Sequence, residues 1–196
     1  MDNPHHTKAL SCLQALISNS TPLYAIIDAA RDESIIDLLL QYDEQTPLQS
    51  LFEGEPAREL AAVAPYLAQF KNPDHPLLKE LVYQGWGNNW GVYFDYPGDF
   101  TTARHHLRQF IRVKTLDGEY RMFRFFDPRA FRKMLPSMDI SQLIPFYSAI
   151  GSYWLEDKNP RLLLRYYLRD LQLTTDSIDL ETGTENTTTH PSHAHS

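Results

Sequence analysis

Apolar positions along this chain fall into short blocks whose spacing alternates between helical and extended periods. Residues 8–18 place Leu10, Leu13, Leu16 and Ile17 at helical spacing. Leu23 to Ile27 is a continuous apolar run after Pro22, the mark of a buried strand. From Asp28 to Tyr42 the pattern turns helical again, and Pro47 blocks any continuation. Pro56 opens a helix through Leu60 and Val63, and Tyr66 to Phe70 reads as a strand. Pro76, behind Asp74, starts a helix with Leu77, Leu78, Leu81 and Val82 on one stripe; Gly85 is placed to end it. Trp90 to Phe94 is a further strand, stopped by Pro97-Gly98. Asp99 or Thr101 caps a helix carrying Ala103, Leu107 and Phe110.

The second half differs in rhythm. Ile111 to Thr115 and Tyr120 to Phe126 form a hairpin around Leu116-Asp117-Gly118. Asp127 and Pro128 cap and open a short helix; Asp139 and Gln142 form a capping box for another, limited by Pro145. Tyr153 to Leu155 reads as an edge strand, and Asn159-Pro160 opens a last helix reaching about Leu173. This order predicts an α/β (α+β) fold: a mixed sheet flanked by helices, with a small C-terminal helical lobe. The expected division is an α/β lobe at 1–127, a helical lobe at 128–173 and a disordered polar tail at 174–196.

Composition narrows the class. At 196 residues with 42% apolar content, one domain with an adequate core is expected. No apolar run approaches the roughly 18 to 20 residues of a membrane span, and the first residues lack a signal pattern, so a cytoplasmic protein is expected. The lone Cys12 allows no internal disulfide and reads as an inert thiol. Charge is uneven. Residues 1–99 hold 5 Lys/Arg against 14 Asp/Glu, whereas residues 100–170 hold 13 against 7. The basic block fits either an acidic partner or the chain's own acidic first half.

Phe123-Arg124-Phe125-Phe126-Asp127-Pro128-Arg129 is the most informative stretch, an apolar strand running into a capped helix. Further segments accompany it in order: Tyr24 to Ala29, Leu51 to Gly54, Val63 to Leu67, Trp90 to Tyr93 and His106 to Phe110. This ordered set resembles the type VI secretion effector chaperones, or adaptors, a family first catalogued as a domain of unknown function. The resemblance covers roughly residues 20 to 157. It implies two protein partners, a cognate secreted effector and a VgrG spike protein. It implies no cofactor and no catalytic residues.

Catalytic signatures are missing: no nucleophile elbow, phosphate loop, dinucleotide fingerprint or His-Glu-x-x-His. Two alternatives to a binding protein stay open. One is a hydrolase using a carboxylate pair among Glu53, Glu55 and Glu59, which also read as a solvated helix start. The other is a nucleic-acid module using the basic block, which the overall charge of −7 disfavours. His190, His193 and His195 suggest at most adventitious metal binding, and adjacent His105 and His106 point apart on a helix.

Two surfaces are candidates for partner binding. Arg161, Arg165 and Arg169 recur every four residues on the expected last helix, beside Tyr166 and Tyr167. Trp86 and Trp90 flank a tight Gly-Asn-Asn loop. The competing readings are a solvated basic ridge and a turn with both indoles packed. Arg124, Asp127, Pro128 and Asp28 read as structural. Arg124 lies in apolar surroundings and needs an internal acid, Asp28 or Glu53.

Overall fold

A computed structural model describes residues 3–18, 20–114 and 119–190. Its centre is an eight-stranded sheet that separates two hydrophobic cores. The strands are β1 (Leu23–Asp28), β2 (Leu48–Ser50), β3 (Pro65–Phe70), β4 (Gly91–Asp95), β7 (Tyr153–Glu156), β8 (Leu162–Arg169), β9 (Gln172–Asp179) and β10 (Glu185–Thr189). Their spatial order is β10-β9-β8-β7-β4-β1-β3-β2. A small separate hairpin pairs β5 (Arg112–Lys114) with β6 (Tyr120–Met122).

β1 lies between β3 and β4 and is buried along its whole length. Its apolar run is continuous because both faces are covered, and the pleat divides it between the cores. Tyr24 and Ile26 enter the first core; Leu23, Ala25 and Ile27 enter the second. The first core is closed by α5 (Phe100–Arg108), α6 (Pro128–Met134) and α7 (Ile140–Tyr147), through Leu107, Phe131, Leu143 and Phe146. It is rich in aromatic rings: Phe146 stacks on Tyr153 with centroids 5.1 Å apart and meets Phe110, Phe123 and Phe125 edge-on or tilted. The second core is closed by α1 (Pro4–Gln14), α2 (Ser34–Leu40) and α4 (Pro76–Gly85), through Leu13, Ile35, Leu39, Leu78 and Leu81. α3 (Glu55–Glu59) is one short exposed turn.

The α+β class holds, and several details do not. Every described strand pairing is antiparallel, so the sheet is not mixed. The helix-bearing links return to antiparallel neighbours instead of completing parallel crossovers. The expected helix over Asn159–Leu173 is instead β8 and the start of β9, and the segment from Thr174 expected to be disordered forms β9 and β10. Asp170 and Leu171, both at positive φ (51° and 60°), make the two-residue turn that folds β9 back on β8. No separate helical lobe forms over 128–173: α6 and α7 pack on the sheet that β7 and β8 extend. Tyr153 to Leu155 is an interior strand between β4 and β8, not an edge. β6 ends at Met122, and residues 123–127 form a turn whose three Phe rings are buried. The Leu116-Asp117-Gly118 turn, His193 and His195 lie outside the described residues.

Candidate partner-binding surface

The segment leaving β2 is shaped by two arginines one helical turn apart on α5. Arg104 donates to the carbonyls of Ser50 (2.8 Å) and Phe52 (3.2 Å), and Arg108 to that of Leu51 (3.1 Å). Both guanidiniums also engage the Glu53 carboxylate. Edge-strand carbonyls that would otherwise need water are thereby paired. Gly54 then turns at φ 67°, a left-handed value that suits glycine, and Pro56 sits in the first turn of α3.

Two hollows flank this braced segment. One, of about 420 Å³, is lined by Leu51, Phe52, Pro56, Leu60, Ile111 and Met122, with Arg108 and Arg112 at its side. The other, of about 430 Å³, lies across Phe52 and Glu53, among Leu39, Leu40, Leu48, Ala57 and Tyr66. Large side chains stand open here: Leu60 is 44% exposed, Met122 50% and Leu40 63%. Exposed apolar side chains rimmed by charge form the kind of surface that can contact a protein, a membrane or a ligand. Sequence reading missed this site, because neither Leu60 nor Met122 carries any sign that it stays uncovered. The only available signal was Leu51-Phe52-Glu53-Gly54 as a block.

Part of the basic block meets the chain's own acidic half, while Arg129, Arg132, Arg161 and Arg165 pair with acids of their own block or of the tail. Arg104 and Arg108 hold Glu53, and Arg124 reaches Asp28 at 2.9 Å. Glu53, one of the three acids of the carboxylate-pair alternative, is thus engaged by two cations. Among the described residues, no group of three or more His, Cys, Asp or Glu is arranged to hold a metal ion. No described helix is long and apolar enough to cross a membrane. Cys12 is partly buried, and burial raises its thiol pKa.

Asp28, Arg124, Asp127 and Pro128 lie together, and of the two acids expected for Arg124 it is Asp28 that pairs with it. Asp28 is fully buried at the end of β1 and accepts from Arg124 and from the Ala30 amide. Burial raises its carboxyl pKa, with Arg124 opposing. Arg124 itself is 44% exposed, because it stands on a turn and not inside a strand. Asp127 caps α6 and is held by Arg129 at 2.8 Å; burial raises its pKa, but the Arg129 bonds and charge outweigh this and leave it lowered. Pro128 is buried in the first turn of α6.

The two surfaces read from sequence are largely structural. Trp86 and Trp90 are buried in the second core, and the Trp86 indole donates to the Pro160 carbonyl at 2.7 Å. Their loop is organised by Glu156 on β7, which the sequence reading did not single out. Its carboxylate accepts the Gly87 amide and, at 2.5 Å, the Asn89 amide, with Gly87 at φ 90° and Asn89 at φ 56°. Arg132 ties the same loop through Asn89 Oδ1 (3.2 Å) and the Glu156 carbonyl (2.6 Å). Burial lifts the Glu156 carboxyl to about 7, against the pull of the two amides and Arg132.

Arg161, Arg165 and Arg169 do not line a helix. Arg161 precedes β8 and pairs with Asp179 (2.9 Å) and Glu181 (2.8 Å). Arg165 lies over Trp154 and Tyr167, 5.1 and 4.5 Å from their ring centroids, and donates to Ser152 at 3.0 Å. Arg169 is 72% exposed near Asp170. Tyr166 and Tyr167 point to opposite faces: Tyr166 enters the first core, while Tyr167 joins Arg165 and donates to Asp176 at 3.3 Å.

No curated protein and no solved structure matches the chain. Residues 23–144, well over half of the sequence and containing β1, the braced Phe52–Glu53 segment and the Arg124–Asp127 cluster, match the model of a family described as Domain of unknown function (DUF4123), and the chain belongs to that family.

Proposed function

We propose that this protein is a cytoplasmic adaptor that holds a cognate type VI secretion effector and helps load it onto the VgrG spike. The observation that carries the reading is the hollow beside Phe52, where Leu60 and Met122 stand half exposed. Arg108 and the exposed Arg112 beside it supply positive charge. An amphipathic effector helix with an acidic flank fits this combination: its apolar stripe covers Leu60 and Met122, and its acids face the arginines. The ordered segments that resemble the type VI adaptors give the partner's class. A holding role needs surface and no chemistry, which suits a site of exposed apolar side chains beside arginines.

The test is co-expression with a candidate toxin drawn from the neighbouring reading frames, followed by co-purification and a secretion assay. Leu60→Asp combined with Met122→Asp is expected to reduce recovery of the toxin at least tenfold, with an unchanged melting temperature, since both side chains are already half in water. Unchanged toxin solubility, abundance and secretion on deleting the chain overturns the adaptor reading.

A further inference from the structure

The two edges of the sheet are built differently. β2 spans three residues, whereas β10 spans five, all exposed. The direction of each backbone group in β10 follows from its register. His190 donates to the Leu173 carbonyl at 2.8 Å, and Asp179 donates to that of Thr184 at 2.8 Å. Bonded positions in an antiparallel ladder recur at every second residue. Thr184, Asn186, Thr188 and His190 therefore face β9, while Glu185, Thr187 and Thr189 aim their N–H and C=O groups away from the sheet.

Apart from the charge of Glu185 at its start, this edge carries no blunting device: residues 185–189 contain no Lys, no Pro and no bulge in their pairing with β9. Thr is a strand former, and Thr187 is fixed in place by its hydroxyl, which donates to Asp176 at 2.7 Å. We propose that β10 pairs edge to edge with β10 of a second copy of this chain, joining two sheets into one about a two-fold axis.

The sequence of the strand is what selects a second copy. An antiparallel pairing centred on Thr187 sets Thr187 opposite Thr187 of the second copy, and Glu185 opposite its Thr189. Each chain brings three outward donors and three outward acceptors, and all are used. Glu185 is the only charged residue of the strand, and this register keeps the two copies of it at opposite ends. Thr–Thr cross-strand pairs are favourable, and like charges never face each other. The row Trp154, Arg165, Asp176, Thr187 on one face then runs on across the axis in reverse order. The contact is small, so association is weak, with Kd on the order of 100 μM.

Sedimentation velocity of the full chain, from about tenfold below to tenfold above that concentration, tests the proposal. Thr187→Pro removes an outward N–H and no bond to β9, and is expected to weaken dimerisation at least tenfold. Thr187→Val keeps the N–H, loses the hydroxyl and is expected to leave the dimer in place. Thr189→Pro supplies a second outward position should the first proline unfold the strand. A chain that stays monomeric throughout overturns the proposal. So does a dimer that survives both prolines, or an edge that takes a strand from another protein and never from its own copy.

Discussion

The two ends of the sheet solve the problem of an unpaired edge in opposite ways. At the β2 end, the strand is three residues long, and the carbonyls of its last residue and of the two that follow are held by Arg104 and Arg108. Charge is spent on the backbone, and what remains open is apolar: Leu40, Leu60 and Met122. At the β10 end, both faces of the strand are solvated, and what remains open is the backbone itself. Arginines occur at both ends, yet only at the first do they hold main-chain carbonyls. One end thus leaves apolar side chains open, and the other leaves main-chain hydrogen-bonding groups open. Equivalent substitutions at the two ends should therefore have unequal effects.

The largest effect is expected at the β2 end. Arg104→Met keeps much of the aliphatic volume and removes the bonds to Ser50, Phe52 and Glu53. The carbonyls lose a charged donor, and Arg108 alone is left to hold Glu53. A loss of about 2–3 kcal/mol in urea unfolding is expected, the range for bonds to a charged donor plus partial desolvation of the orphaned groups. A change below about 0.5 kcal/mol, the size of an ordinary surface substitution, would show that the clamp is ornamental.

How much of this could be read beforehand depends on what fixed each element. β1, β3 and β4 were legible because each is a mainly apolar run next to a proline or a turn, so local pattern and final burial agree. That Arg124 needs an internal acid was legible from its apolar neighbours, with Asp28 and Glu53 both open; the structure selects Asp28 and puts Arg124 on a turn instead of a strand. β8 was misread for a definite reason. A spacing of four residues is close to one helical turn, yet it is also an even number, so Arg161, Arg165 and Arg169 share a side under either geometry. The true discriminator was Tyr166 beside Tyr167, which a helix would keep within about 100° of each other and a strand sends to opposite faces. β10 was illegible, since a Thr-rich polar segment becomes a strand only because β9 offers it a ladder. Glu156 left one trace, an acid closing the apolar run Tyr153-Trp154-Leu155.

Between the two ends, Glu156 gives an intermediate effect that depends on pH. Its carboxyl is raised from 4.5 to about 7 in the folded protein, chiefly by burial. The folded state keeps the proton more tightly than the unfolded chain. That contribution to stability is complete below about 4.5 and is lost as pH rises through about 7. Glu156→Gln removes the titration but mispairs one of the two loop amides. Across pH 5 to 7.5, wild-type unfolding free energy should fall by about 2 kcal/mol relative to the variant. Parallel profiles for the two proteins would place the buried proton elsewhere; Asp28 and Asp95, also raised by burial, are the next groups to neutralise.

The smallest effects belong to the β10 side, and two arginines four residues apart on β8 divide them. Arg165 packs between Trp154 and Tyr167, donates to Ser152, and lies 3.8 Å from the Asp176 carboxylate. Asp176 is almost fully buried, so removing Arg165 leaves that charge with only the Tyr167 and Thr187 hydroxyls. Arg165→Ala should cost about 1–2 kcal/mol, the sum of a cation–π contact and a partly buried hydrogen bond. Arg169 has a single partner, Asp170, at 3.9 Å on a mostly solvated side chain. Such a pair contributes little because water screens it and both side chains lose freedom to hold it, so Arg169→Ala should stay within about 0.5 kcal/mol. Chemical unfolding of both variants, with a salt titration, separates them: only the Arg165 loss should persist at high ionic strength. Equal costs would mean that the β8 arginines act together as one ridge, the arrangement that an even spacing suggests and the alternate burial along β8 does not support.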